Sequence, residues 1–288
     1  MAAVPVLEVG GTHVTAAIVD AATWTVATAG PRVDIDSHGT ADELVAGFAS
    51  AADGLPVPAA ARWAVAMPDP FDYEHGIGRF HGVGKFDALD GVDVRAALCA
   101  QLPGQPGGVT FLNDADAFTL GEWAAGAGAG TSRCVGMTLG TGVGTGWVDR
   151  GRVVDPGVPL GGRAHRLDVD GGPLEDTMSR RAIRRAYAAA SGDAAVDVRE
   201  IAERARAGDE VAEGVLAHAL EAAGRALAPP IRRFGADVLV VGGSMAGSWP
   251  LFVPWFVDGC GPGPFPAIRV AEHPDTAGLV GAARHISG

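Results

Sequence analysis

Val135–Asp149 reads VGMTLGTGVGTGWVD. Gly140, Gly142, Gly144 and Gly146 fall at alternate positions, with Val135, Met137 and Leu139 before them and Val143, Trp147 and Val148 among and after them. Apolar flanks of this kind suit β-strands, and the glycines between them suit a tight hairpin turn. Lacking Cβ atoms, such a turn lets a ligand come close to the backbone and can aim N–H groups at an anion. Thr138, Thr141 and Thr145 add hydroxyl groups. An ordinary glycine-rich hairpin satisfies the same pattern, and this stretch alone leaves both readings open.

Val6–Asp20, VLEVGGTHVTAAIVD, has the same layout of apolar strand, glycine turn, apolar strand and closing Asp. Gly10-Gly11-Thr12 matches Gly140-Thr141-Gly142, and Ile18-Val19-Asp20 matches Trp147-Val148-Asp149. Self-similarity within a chain bears on the whole fold. Two copies are too few for a solenoid and point to two related α/β domains, each opening with a glycine-turn hairpin. Two such turns facing one another across a cleft would hold the two ends of a polyphosphate.

Length and composition agree. A chain of 288 residues suffices for one large or two medium domains with real cores. Apolar residues at 48% against 19% charged exclude a disordered chain. A net charge of −12 argues against nucleic-acid or anionic-membrane partners, which need a basic surface. Cys99, Cys134 and Cys260 form neither a disulfide framework nor a CxxC metal motif. There is no basic leader and no apolar run of membrane-spanning length. The expectation is a soluble cytoplasmic protein.

The N-terminal half reads β-β-β-α-β-α. Thr23–Ile35 is expected as a third strand with its turn, and Thr40 as the cap of a helix over Ala41–Ala52. Arg62–Ala66 is a buried strand that runs into the rigid loop Met67–Tyr73, and strand ends of open α/β sheets are where ligands bind. Asp93–Gln101 is expected as a helix. Val109–Leu112 is the next strand, followed by Asn113-Asp114 and a helix from about Ala115 to Ala125. Asp114 at that junction reads first as an N-cap, with a general base that accepts a hydroxyl proton as the functional alternative.

In the C-terminal half, Leu174–Ala190 is expected as one helix, with Glu175 at its start suiting the helix dipole. Asp197 with Glu200 forms the pattern of a capping box. Asp209–Ala228 is a long helix expected to stop at Pro229-Pro230. Asp237–Val241 is a strand leading into Gly242-Gly243-Ser244 and a helix, Gly259–Pro266 is a loop, and Thr276–His285 is a last short helix.

In order, these motifs resemble the ROK family of sugar kinases and repressors, within the actin/hexokinase-like (ribonuclease H-like) duplicated two-domain α/β fold. Glu8-Val9-Gly10-Gly11-Thr12 resembles the family's D-x-G-G-T first phosphate motif. Asn113-Asp114-Ala115-Asp116-Ala117 with Gly121-Glu122 resembles N-D-A-N-A…G-E, which carries the catalytic Asp. Leu139–Gly146 resembles the second phosphate motif, and Val240–Ser244 the adenosine motif. Glu8 and Asp116 replace the usual Asp and Asn. The family's G-E-x-G-H segment aligns with Gly161–His165, keeping His165 but placing Gly162 where the sugar-binding Glu stands. The zinc segment has lost its cysteines and keeps only its closing Glu, as Glu175, so no structural zinc is expected.

The resemblance implies an ATP-dependent, glucokinase-like sugar kinase with Asp114 as base. Asn113 and Asp114 would bind the acceptor hydroxyl, most simply the primary one, and His165 and Glu175 the far side of the ring. The loop around Gly82–Lys85, with Gly84, is the remaining sugar contact. Gly10, Gly11, Thr12, Gly140, Thr141 and Gly142 would bind phosphates, with Glu8 near an Mg²⁺ held mainly through phosphates and water. Gly242 and Gly243 would border the adenosine. The implied domains are 1–113, with the helix from about 276 to 288 returning to it, and 114–275. A homodimer is the family's habit. A sugar or cyclitol is the expected partner, and ATP and polyphosphate both remain as donors. The alternatives are a cyclitol or N-acyl hexosamine kinase, or a sugar-binding regulator without catalysis. A repressor of the same family would carry a DNA reader ahead of its first phosphate motif, and a P-loop is disfavoured because Gly84-Lys85 is followed by Phe86 and no Gly opens a GxxxxGK pattern.

Overall fold

The computed structural model describes residues 3–155 and 163–288. The chain forms two compact units, one made of residues up to 129 together with 275–288, the other of 130–274.

The first unit opens with the hairpin β1 (Ala3–Val9) and β2 (His13–Asp20), whose last register pair is Val9 with Val14. β3 (Thr25–Ala29) and the short β4 (Val33–Asp34) also pair with β2, where a single strand was expected. α1 (Ala41–Ser50) starts in a full capping box: Thr40 Oγ1 accepts the Glu43 N–H, and the Glu43 carboxylate accepts the Thr40 N–H. β5 (Arg62–Met67) runs parallel to β1. A small β6 (Phe71–Asp72) and β7 (Ile77–Gly78) hairpin and α2 (Val94–Gln101) follow. β8 (Gly108–Asn113) then pairs parallel with β5, and α3 (Asp114–Ala125) leaves its end. The sheet order is β3-β2-β1-β5-β8.

The second unit repeats that plan. β9 (Arg133–Leu139) and β10 (Val143–Asp149) form the glycine hairpin, with Leu139 opposite Val143. After β11 (Arg152–Val153) and the small β12 (Asp168–Val169) and β13 (Gly172–Pro173) pair come the helices α4 (Glu175–Met178), α5 (Arg180–Ser191), α6 (Val198–Arg206) and α7 (Glu210–Phe234). β14 (Val238–Gly242), α8 (Trp249–Cys260) and β15 (Ala267–Val270) complete the unit, and its sheet order is β11-β10-β9-β14-β15. Each sheet is thus an antiparallel meander of three strands followed by two strands parallel to the first, and each opens with the glycine-turn hairpin expected from the two matched stretches.

Several expectations are corrected. The helix expected over Leu174–Ala190 is two helices, because extended Ser179 breaks the run and its hydroxyl caps α5 through the Ala182 N–H. Asp197 precedes α6 but makes no side-chain cap bond, since Arg180 holds both its oxygens at 2.7 Å. Glu200 pairs with Arg204 instead of closing a capping box. The helix expected to stop at Pro229-Pro230 continues to Phe234. Proline already has a helical φ, and buried Leu227, Ala228, Pro230 and Ile231 hold that end against the core, offsetting the missing N–H donors. β15 was not anticipated.

The last helix, α9 (Ala277–Ser287), belongs to the first unit, where it packs along α3. Both helices thin to glycine at the contact. A methyl group on Gly281 would run into the Ala117 carbonyl oxygen, and one on Gly121 into that of Ala277. This packing places α3 in the first unit, so the division falls after residue 129 instead of at 113/114. Ala64, Ala66, Leu112, Leu279 and Ala283 share this side of the sheet, while Trp63, Val65, Phe48, Leu44 and Leu98 fill the other.

Candidate active site

In the first unit, three neighbouring parallel strands end side by side. β1 runs into Gly10-Gly11-Thr12, β5 into the Pro68–Tyr73 loop, and β8 into Asn113-Asp114. Met67 and Asn113 are register partners, so the loop leaving β5 starts beside the Asn-Asp pair.

Asn113, only 4% exposed, is the N-cap of α3. Its Oδ1 accepts the Ala115 and Asp116 N–H groups at 3.0 and 3.3 Å. With the oxygen so fixed, Nδ2 donates to the Tyr73 hydroxyl at 3.1 Å. That hydroxyl lies 2.9 Å from Asp69 Oδ1 and 3.0 Å from the Met67 carbonyl oxygen. Asp114 stands one residue inside the helix, and its Oδ1 accepts the Ala115 N–H at 2.9 Å. The capping duty that competed with a chemical role for Asp114 is therefore carried chiefly by Asn113. Glu122, fully buried, turns its carboxylate to the Ala127 N–H at 2.8 Å and closes the loop after α3.

Glu8 points from β1 toward the first turn of α9, where a side chain on Gly278 would collide with its carboxylate. Burial, then the charges of Asp114 and Asp275, push its pKa up from 4.5 to about 7. The first glycine turn is closed by Gly10 N–H to the His13 carbonyl at 2.8 Å, and the Cβ side of Gly11 faces open space. Burial lowers the pKa of His13, and the Arg32 charge adds to this. Gly84 lies at the exposed tip of its loop, where its N–H and that of Val83 are taken by the Asp87 carboxylate at 3.2 and 3.1 Å. Among the described residues no hydrogen bond joins Gly84 to the strand-end cluster.

In the second unit the predicted residues gather around the β9–β10 turn. Gly140 N–H donates to the Gly142 carbonyl at 3.0 Å, and the Arg180 N–H at the start of α5 donates to Gly140 at 2.9 Å. Glu175 lies against the turn: a Cβ on Gly142 would stand 2.7 Å from its Oε1. Gly243, at φ +85°, passes so close to the Leu139 backbone that a side chain has no room, and the Met245 N–H bonds the Leu139 carbonyl at 3.1 Å. Gly242 ends β14 beside Thr138. Buried Thr145 accepts the Ala164 N–H at 3.3 Å, anchoring the short turn that carries His165, toward whose Nε2 Arg166 directs its Nε at 3.3 Å. Gly161 and Gly162 lie outside the described residues.

The ROK family model matches residues 5–161 and 170–287. The chain belongs to the ROK family. A glucokinase of Thermotoga maritima is 31% identical over 206 residues, a match that spans 63% of this chain and 63% of that relative's length. A solved ROK hexokinase from Thermus thermophilus superposes with a TM-score of 0.80 at 27% identity, covering 98% of this chain and 97% of that one. A ROK family glucokinase from Streptomyces griseus, solved in complex with glucose and AMPPNP, has the same fold: TM-score 0.77, 24% identity, 98% of each chain. The fold is thus the actin/hexokinase-like one.

For a ROK chain, some residues here escaped the motif reading. Asp69 and Tyr73 lie in a loop flagged only as rigid, although Tyr73 is one of just two tyrosines. Asp275 joins the Glu8 cluster from the far end of the chain, and the Arg180 N–H reaches the β9–β10 turn through its backbone, which no side-chain motif announces. Among the described residues no group of three or more His, Cys, Asp or Glu side chains is placed to hold a metal directly. None of their helices is long and apolar enough to cross a membrane.

Proposed function

We propose that the protein is an ATP-dependent carbohydrate kinase, glucokinase-like, that phosphorylates the primary hydroxyl of a hexose. The observation that carries this reading is the division of labour at the start of α3. Asn113 carries the N-cap of α3, and Asp114 stands next to it at a sheet's strand ends, where its carboxylate would meet a substrate hydroxyl. Asp114 takes the hydroxyl proton as the oxygen attacks the terminal phosphorus, the bond to the ADP oxygen breaks, and ADP leaves with that electron pair. The turns at Gly10–Thr12 and Gly140–Gly142 meet the phosphates through backbone N–H groups other than those of Gly10 and Gly140, which close the turns themselves; Gly242 and Gly243 border the adenosine, and His165, Glu175 and Gly84 contact the sugar. The nucleotide and glucose bound by the Streptomyces griseus enzyme support both ligand classes.

Magnesium fits this arrangement as an ion held by phosphate oxygens and water, beside the partly repelling carboxylates of Glu8, Asp114 and Asp275. When bound it offsets phosphate charge. The same reading takes the protein to be a cytoplasmic homodimer, which sedimentation would test. The functional test is coupled ADP release with Mg-ATP over a panel of hexoses, N-acyl hexosamines and cyclitols, for wild type and Asp114→Asn. Turnover on one acceptor that falls by about 10²–10⁴-fold in the variant is expected. No turnover on any acceptor, together with no nucleotide binding by calorimetry, would leave a sugar-binding regulator.

A further inference from the structure

We propose that Tyr73 is a positioning residue for the phosphoryl acceptor, acting through Asn113; this rests on the kinase reading above. Asn113 Oδ1 is committed to two backbone N–H groups at the start of α3. One Nδ2 hydrogen is committed to the Tyr73 hydroxyl. The amide then has one hydrogen left to give and no oxygen to offer. A substrate hydroxyl that meets Asn113 must therefore accept from it through an oxygen lone pair. Its own proton is then free for the neighbouring carboxylate of Asp114. Fixing the amide in this sense directs the proton that the reaction removes.

Tyr73 is built to hold that state. Its oxygen can receive the Asn113 hydrogen because its own single proton is drawn off to Asp69 Oδ1 or the Met67 carbonyl. The ring is set by Phe71, with centroids 5.4 Å apart, and Phe71 is in turn 4.9 Å from Phe111 on β8, two residues before Asn113. The β5–β8 register that pairs Met67 with Asn113 brings these groups together across 40 residues of sequence. Without the phenol oxygen, one buried N–H loses its partner and the amide loses the contact that sets its plane.

The test is Tyr73→Phe, which keeps the ring and its packing. Asn113 is the only asparagine in the chain, so protein labelled with [¹⁵N]asparagine shows a single side-chain NH₂ group. Its correlations are expected to move in the variant, and its hydrogen exchange to quicken. In the coupled assay, kcat on the acceptor is expected to fall about tenfold, the equivalent of one hydrogen bond. KM for ATP should stay close to wild type, and the thermal midpoint should fall by only a few degrees, the effect of one unpartnered buried N–H. An unmoved NH₂ signal, or unchanged kcat on an acceptor the wild type turns over, overturns the proposal. So does a parallel loss of acceptor turnover, ATP affinity and thermal stability, which marks general structural damage. A wild type that phosphorylates nothing overturns the kinase reading and the positioning role with it, while the NH₂ signal still reports whether the Tyr73–Asn113 bond exists.

Discussion

Glu8→Gln should stabilise the protein at alkaline pH and do little at acid pH. Glu8 sits on β1 with its carboxylate against the first turn of α9, and burial, Asp114 and Asp275 together raise its pKa from 4.5 to about 7. Its folded-state pKa lies above the unfolded one, so the folded protein binds the proton more tightly. The contribution of Glu8 to stability is therefore greatest below pH 4.5, falls as pH rises through the interval up to about 7, and then levels off. At about 1.4 kcal/mol per tenfold change in proton affinity, the whole interval is worth about 3 kcal/mol. Because Glu8 is only partly buried by surface area, water trims this toward about 2 kcal/mol. Glutamine fills the same space without a charge. Urea unfolding of wild type and variant, without nucleotide, should show the variant ahead by under about 1 kcal/mol at pH 5 and by about 2 kcal/mol at pH 8. A difference that is equal at the two pH values, or that favours glutamate at pH 8, would refute the claim that the fold resists charging Glu8.

Three further outcomes can be measured with the same material. Gly281→Ala should lower stability by about 1–3 kcal/mol in denaturant titration, because its methyl group meets the Ala117 carbonyl oxygen and must push α9 off α3. The same variant should lose activity at saturating substrate, since α3 carries Asn113 and Asp114 at its start. Gly142→Ala should raise KM for ATP with little change in melting temperature, because its Cβ stands 2.7 Å from Glu175 Oε1 and one of the two must move; an unchanged KM would show that the turn does not meet the nucleotide.

The hairpins were legible because their signal is local. Apolar residues flank three-residue turns at Gly10–Thr12 and Gly140–Gly142, and strand, turn and strand are complete between Ala3 and Asp20 and between Arg133 and Asp149. Thr40 with Glu43 was legible for the same reason. Asp197 shows where local reading fails: it has the right spacing to Glu200, but Arg180, seventeen residues upstream, holds its carboxylate with two hydrogen bonds. Pro229-Pro230 failed differently, since the propensity to stop a helix was outweighed by burial of the residues around it. The Asp69–Tyr73–Asn113 chain depends on which strand β8 pairs with, and strand partners are decided by the whole sheet. The start of α3 was readable as a junction, but two adjacent residues could each have capped it, and only the geometry assigns that task to Asn113.

The return of α9 to the first unit also orders events in time. The ribosome makes β1, β8 and α3 first, then the entire second unit, and only then the helix that covers the small-residue face of α3. Until residues 277–287 exist, Gly121, Ala117 and the Ala64–Ala66 side of the sheet have no cover, and the Glu8 carboxylate has no helix to lie against. The second unit is continuous in sequence and can be finished while the first still waits. Biosynthesis thus delivers both glycine turns of 130–274 before α3, the helix that begins with Asp114, is locked in place, and the strand ends of the first unit are the last part to be assembled.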